Sequence, residues 1–361
     1  MRGAEPGQRV MFSYVDLEHR VPDDHPLRAI QALVQPVLQE LSPRFAALYA
    51  ESGRPSIPPE QLLRALLLQV LYTIRSERQL MEQLDYNLLF RWFVGLGMDA
   101  PVWHPTTFTK NRDRLLAGQI AEAFFAGVLR QAGSRALLSH EHFTVDGTLL
   151  EAWASQKSFR PSDAPPSGGD DDPGNPTVSF RGQRRSNATH RSVTDPDARL
   201  AKKGAGKEAK LSYQASVLLE NRHGLVVATT VSAPSGTAEV EQAIELCATQ
   251  PPRAGRRTLG ADMGYDQRSL ITGLRALGWT PHIAAGPPSM LDGRTPRHAG
   301  YAESQRRRKR VEESFGWGKT VGLLRKLRHR GRELVDWIFT FTMAAYNLVR
   351  LRTLLNLELA P

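Results

Sequence analysis

The sequence predicts an α/β chain in two parts. An all-helical segment comes first, and a domain built on a mixed five-stranded sheet with flanking helices follows. Three observations predict this. Up to residue 139 the apolar residues recur at helical spacing, with no strand-like alternation. At Phe143 the texture changes to β-branched runs bounded by turn residues. From there the order reads β-β-β-α-β-α-β-α, with a single early hairpin.

The elements follow in order. Leu27, Ile30, Leu33, Val34, Val37, Leu38 and Leu41 make a helical stripe, with Pro36 expected to break or kink it. Pro58-Pro59-Glu60 opens a helix whose face is Leu62, Leu63, Leu66, Leu67, Val70 and Leu71, a core or dimer surface. Ser76 with Gln79 reads as a capping box for a helix over 77–87. Arg91 to Leu96 is a short aromatic segment that ends at glycines, Pro105 opens a further helix, and Ile120 to Ser139 is the last. Phe143 to Leu149 is the first strand. Residues 157–205 are rich in Pro, Gly, Ser, Asp and Arg, contain Asp170-Asp171-Asp172, and read as a flexible insertion, because strand signals resume after them. Leu211–Glu220 and Leu225–Val231 are two strands joined through Asn221-Arg222-His223-Gly224. A helix over Val240–Thr249, a strand over Arg257–Asp262, a helix over Gln267–Leu277 and a strand over Thr280–Ala284 follow, with closing helices at 303–327 and 333–356.

The composition narrows the class. An apolar share of 41% supports a core and excludes global disorder. One Cys excludes a disulfide framework and any multi-Cys zinc site. The polar start and the lack of the roughly 18-residue apolar run that a membrane span needs lead us to expect a cytoplasmic protein. The net charge of +10 is local. Residues 301–332 carry a net +8, residues 181–210 a net +6, and the rest of the chain is slightly acidic. Two such patches suggest a polyanionic partner, although a basic run is often only a solvated helix face. Arg306, Arg307, Arg308, Lys309, Arg310 and Lys319 are the candidate DNA contacts in the larger patch. Arg75, Arg78, Lys110 and Arg112 are candidates of the same kind in the helical part.

Two acids, Asp146 and Asp262, fall where strands end, each followed by small or flexible residues. An acid at the end of a buried strand is costly unless it is paired, hydrogen-bonded or bound to a metal. A third lies in the basic patch. Arg308, Glu312 and Lys319 share one helix face at 100° per residue, and Glu313, a further 100° round, is the alternative acid. An ordinary i,i+4 pair between Arg308 and Glu312 is the plain reading, worth a few tenths of a kcal/mol. Three carboxylates from two strands and a helix could instead hold two Mg²⁺ ions, leaving positions for water and phosphate oxygens. Gly316 and Gly318, at about 1 kcal/mol each relative to Ala, either admit a phosphate backbone or break the helix near Lys319. Asp195 and Asp197 read as turn residues, Asp266 as a helix cap, Cys247 as a core thiol, and His104, His142 and His190 as isolated.

These motifs resemble those of bacterial insertion-sequence transposases of the D-D-E type. Arg54 to Arg64, Arg75 to Leu80 and Arg91 to Leu96 resemble the helical region of that family. Phe143 to Thr148 resembles its first-Asp strand, Thr194 to Leu200 a segment after it, and Ala261 to Asp266 its second-Asp strand. Arg307 to Lys319 resembles its third-carboxylate helix, with Arg-x3-Glu-x6-Lys spacing that makes Glu312 the third acid. The family places a Tyr three residues before that Arg. Gln305 stands there in this chain, and Tyr301 lies one helical turn earlier. The resemblance implies a ribonuclease-H-like catalytic domain over 140–361, interrupted at 157–205, behind a helical DNA-binding or assembly domain over 1–139. It implies Asp146, Asp262 and Glu312 as catalytic and metal-binding residues, two Mg²⁺ ions with Mn²⁺ as a substitute, and double-stranded DNA as partner. The expected activity is cleavage at terminal inverted repeats followed by strand transfer to target DNA, by a nucleoid-associated homo-oligomer that is dimeric on DNA. Two other readings stand beside it: a catalytically inactive DNA-binding derivative acting as a repressor, against which the three intact acids argue, and a nuclease of the same fold without strand transfer, which a joining assay separates.

Overall fold

A computed structural model describes residues 14–50, 56–162, 178–180, 182–204, 206–252 and 255–358. Asp170-Asp171-Asp172 and the middle of the expected insertion lie outside the described residues, as do Arg54 and Pro55. No helix among the described residues is long and apolar enough to cross a membrane.

Seven helices come first: α1 (Leu17–Arg20), α2 (Pro26–Leu48), α3 (Pro59–Leu71), α4 (Glu77–Tyr86), α5 (Leu88–Val94), α6 (Pro105–Ala117) and α7 (Ile120–Gly133). Helix α2 runs through Pro36 and Pro43 instead of stopping. Its stripe is buried on both sides of Pro36, from Leu27 to Phe45, and that burial outweighs the lost backbone bonds. The Leu62–Leu71 face of α3 is core. Ser76 Oγ accepts from the Gln79 N–H at 3.0 Å, the cap expected for α4. Helix α5 ends at Gly95, whose φ of +87° closes the turn with bonds to the Arg91 and Trp92 carbonyls. Arg91 is buried there and donates to the carbonyls of Leu84, Gly97 and Ala100. Arg112 is also interior, paired with Glu77 and Asp113.

The strands are β1 (His142–Glu151), β2 (Phe159–Pro161), β3 (Val178–Phe180), β4 (Gln183–Arg185), β5 (His190–Ser192), β6 (Arg199–Ala201), β7 (Lys210–Glu220), β8 (Leu225–Ser232), β9 (Arg257–Ala261) and β10 (Trp279–Ile283). Helices α8 (Ala238–Ala248) and α9 (Arg268–Ala276) connect the last strands. Helices α10 (Ala299–Arg307), α11 (Val311–Thr320) and α12 (Arg332–Glu358) close the chain. The five long strands lie in the order β8-β7-β1-β9-β10, antiparallel from β8 to β1 and parallel from β1 to β10. This is the ribonuclease-H-like arrangement.

Two details differ from the sequence expectation. The insertion is structured where it is described: β2 pairs β5, β3 pairs β4, and β6 joins β7 as a sixth sheet strand. The basic helix expected at 303–327 is shorter and divided, with a 3-10 turn at Arg308–Arg310 between α10 and α11 and irregular chain after Thr320. Helix α11 continues past both of its glycines. Gly318 backs onto α12, where an added Cβ would meet Met343 Cε at 2.9 Å, so its small size lets the two helices approach.

Each face of the sheet has its own core. Phe143, Val145, Leu259, Ala261 and Ile283 pack with Leu246, Cys247, Leu270 and Leu274 of α8 and α9. On the other face, Tyr213, Ala215, Val217 and Val226 pack with α12, which also contacts α2, α3 and α7. The seven N-terminal helices thus share one apolar core with the sheet. Asn347 of α12 donates to the Val226 carbonyl at 2.7 Å and accepts its N–H at 2.9 Å, satisfying backbone groups where the β7–β8 register shifts. Asp195 is fully buried, not merely a turn residue. It accepts from the Tyr213 hydroxyl at 2.6 Å and the Gly331 N–H at 3.2 Å, while Asp197 accepts from the Arg332 N–H. Together they cap the start of α12.

Candidate active site

Asp146 lies within β1 and Asp262 directly after β9. The two strands are parallel neighbours with Thr144 opposite Gly260, so two more residues along each bring Asp146 level with Asp262. Asp146 Oδ1 accepts from the Gly147 N–H at 2.9 Å. Asp262 Oδ1 accepts from the Gly264 N–H at 2.9 Å and caps a 3-10 turn over Met263–Tyr265.

The third acid comes from α11, which follows β1. Four contacts tie β1 to the run from α10 through the 3-10 turn into α11. Ser304 Oγ meets His142 Nε2 at 3.0 Å. Thr144 and Arg308 flank Gly260 from the same side, since a Cβ there would lie 3.3 Å from Thr144 Oγ1 and 3.7 Å from Arg308 Cβ. Glu312 is an electrostatic neighbour of Asp146. Lys319 Nζ donates to Thr148 Oγ1. The structure therefore brings Asp146, Asp262, Glu312, Arg308 and Lys319 to one place. Glu313 instead lines a separate cleft of about 300 Å³ with Arg306, Arg307, Lys309 and Arg310. Arg308 donates to Gln305 Oε1 at 3.1 Å, and among the described residues it makes no ion pair with Glu312. Gln305, at the family's Tyr position, also holds the His282 carbonyl. Tyr301 donates to the Ile283 carbonyl at 2.8 Å, at the end of β10.

Burial pushes the Asp146 carboxyl up to about 6, and the charges of Asp262, Glu239 and Glu312 push the same way. Burial lowers the Lys319 ammonium, helped by the charges of Lys203 and Arg325 and opposed by Asp146. Lys203, from the 181–210 patch, thus acts on Lys319 of the larger one. The other candidate cations are placed differently. Arg306 and Arg307 pair with Glu303, and Arg310 donates to the carbonyls of Asn221 and Arg222 at 3.0 and 2.8 Å. Lys309 is exposed and has no partner among the described residues.

Sequence reasoning missed two members of this group. Glu239, in the first turn of α8, and Tyr265, whose side chain is 1% exposed, both face Asp146 and Asp262. No spacing flags Glu239, which reads as an ordinary first-turn acid. A cleft of about 590 Å³ opens instead near His142, Thr258 and Arg307, at the start of β1. Among the described residues no three acid, His or Cys side chains are arranged to hold one metal ion as they stand. The donor chemistry nevertheless suits a hard divalent cation: carboxylates only, with Asp146 buried among like charges.

A ribonuclease-H-like sheet with acids level with each other on its central parallel strands is the framework of enzymes that act on polynucleotides. The family comparison makes this particular. Residues 140–348 match the family described as Transposase DDE domain, and residues 15–114 match one described as Transposase domain (DUF772). The chain belongs to the DDE transposase family. No curated protein matches it. Among solved structures the chain is similar to the piggyBac transposase synaptic complex with hairpin DNA, at 10% identity and a TM-score of 0.42 over 92% of this chain and 76% of that one. It is also similar to the Mos1 transposase paired-end complex with left transposon end, at 13% identity and a TM-score of 0.20 over 84% and 82%. Overlaps of this size support no residue-level correspondence.

Proposed function

We propose that this enzyme cleaves DNA strands at the terminal inverted repeats of its element and joins the freed 3′-hydroxyl groups to target DNA. The observation that supports this is the convergence of Asp146, Asp262 and Glu312 from two parallel strands and a helix, with Lys319 alongside. These three acids would hold two Mg²⁺ ions, or Mn²⁺ in their place. Such ions, when bound, supply activation of the attacking oxygen and stabilisation of the leaving oxygen. The chain's own groups do the rest. Lys319, fixed on Thr148, and Arg308, fixed on Gln305, bind phosphates flanking the scissile bond and set its position against the carboxylates. Arg306, Arg307, Lys309 and Arg310 extend the cationic surface along the duplex, with Lys309 free to pair with phosphate. Residues 1–139 form the helical DNA-binding and assembly region and residues 140–361 the catalytic region. The working species is a dimer on DNA, in the cytoplasm with the nucleoid.

The test is Asp262→Asn, assayed on DNA carrying candidate terminal repeats. Mg²⁺-dependent cleavage should be abolished while binding measured without metal is retained. Unchanged cleavage would sink the assignment.

A further inference from the structure

A fourth carboxylate stands at the site the function proposal rests on. Gly147, the residue after Asp146, has no room for a side chain. A Cβ there would lie 2.4 Å from Gln214 Nε2, 3.1 Å from Glu239 Oε1 and 3.2 Å from Ser216 Oγ. The Glu239 carboxylate therefore sits against the peptide next to Asp146. It is held there by design of its neighbours. Gln214 is buried and donates from Nε2 to Glu239 Oε1 at 3.2 Å. Gln242 fixes that strand in turn, donating to the Gln214 carbonyl at 3.2 Å and accepting from Ser216 Oγ at 2.6 Å. Glu239 Oε2 has no hydrogen-bond partner among the described residues.

A first-turn acid is favoured by the helix dipole, which accounts for its type but not for its placement. Glu241, in the same first turn and exposed as Glu239 also is, has no such partners among the described residues. Tyr265 supplies an independent observation. Among the described residues its buried hydroxyl has no hydrogen-bond partner, although its electrostatic neighbours are Glu239, Asp146 and Asp262. A buried donor among three carboxylates that donates to none of them is an expensive omission in a finished site. It fits carboxylates that shift when a cation binds among them and then accept from the phenol.

We infer that Glu239 is a fourth acidic ligand of the divalent cation site, beside Asp146, with the Tyr265 hydroxyl as the positioning group for these carboxylates. The inference rests on the reading of Asp146 and Asp262 as the metal-holding pair. Gln at position 239 keeps the acceptor for Gln214 and removes only the charge.

The experiment is a Mn²⁺ titration of the full chain followed by electron paramagnetic resonance, with thermal unfolding as a parallel readout. Glu239→Gln should weaken Mn²⁺ binding about tenfold or more without lowering the unfolding temperature, and Glu241→Gln should change neither. Weaker binding in Asp146→Asn with none in Glu239→Gln overturns this inference and leaves the proposed function standing. Unchanged binding in both variants overturns the proposed function's reading of the acids as well. Should Glu239→Gln fail to fold, the wild-type chain decides. Fe²⁺ with ascorbate and peroxide should cut the backbone at 238–240 as well as at 146–147, and cuts at 146–147 alone would overturn the inference.

Discussion

Asp336 lies near the start of α12, where that helix meets β8 and α7. Burial raises its carboxyl to about 6, with Glu122 and Glu245 pushing the same way and Arg332 and the Val231 N–H opposing. Its Oδ1 is buried without a partner. The unfolded carboxyl titrates near 3.8, so the native state holds the proton more tightly. A folded-state value that is raised means stability fully present below about pH 3.8 and lost as pH rises through about 6. At 1.36 kcal/mol per unit the loss reaches at most about 3 kcal/mol at pH 7 and stays under about 1 kcal/mol at pH 4. Asp336→Asn keeps the shape and removes the charge. The variant should therefore be more stable than the parent by up to about 3 kcal/mol at pH 7.5, with little gain at pH 4. Urea unfolding at pH 4, 5.5 and 7.5 measures this. A gain that does not vary with pH, or a loss at pH 7.5, would refute the reasoning.

Two further predictions concern cations that look alike in sequence. Lys309→Ala should reduce the slope of log binding constant against log salt for duplex DNA by about 0.9 and leave thermal unfolding unchanged. Arg310→Ala should instead cost about 2 kcal/mol in urea unfolding, because two guanidinium bonds to the Asn221 and Arg222 carbonyls are lost. An unchanged unfolding midpoint would show that those bonds carry no stability. Arg91→Leu should cost about 3 kcal/mol, since the Leu84, Gly97 and Ala100 carbonyls lose the buried guanidinium that joins them, and hydrogen exchange at the α5–α6 connection should rise.

The order of the five long strands along the chain was legible because each is bounded by turn residues and helical periods separate the last three. The nearness of the three proposed acids was legible in part. Asp262 does follow a strand end, but β1 runs on past Asp146 to Glu151, and Glu312 was preferred to Glu313 on the spacing of the resembling family as well as on helical angle. What the sequence hid were partners distant along the chain. Glu239 reaches Gly147 across about ninety residues, and only the folded register brings them together. Arg310 looks like Lys309 until the β7–β8 turn is placed beside it. Asp195 looks like a turn residue until Tyr213 and Gly331 are seen to close on it. The strands of the insertion are three residues each, too short for a period to show. Pro36 misled because the rule for proline is local, whereas the apolar face that holds α2 together is set by tertiary packing.

The pairing of β1 with the helix beside it works as a ruler. Four strand residues, from His142 to Asp146, span about 13 Å. Eight α-helical residues, from Ser304 to Glu312, would span about 12 Å. The 3-10 turn at Arg308–Arg310 rises about 2.0 Å per residue instead of 1.5 Å, which adds about 1.5 Å and brings the two scales into agreement. Length then matters between Ser304 and Glu312 more than composition does. Its tolerance is lopsided. Removing one residue there slides Glu313 into the slot opposite Asp146, so an acid still arrives. Adding one puts Val311 in that slot, and the site loses its third carboxylate outright.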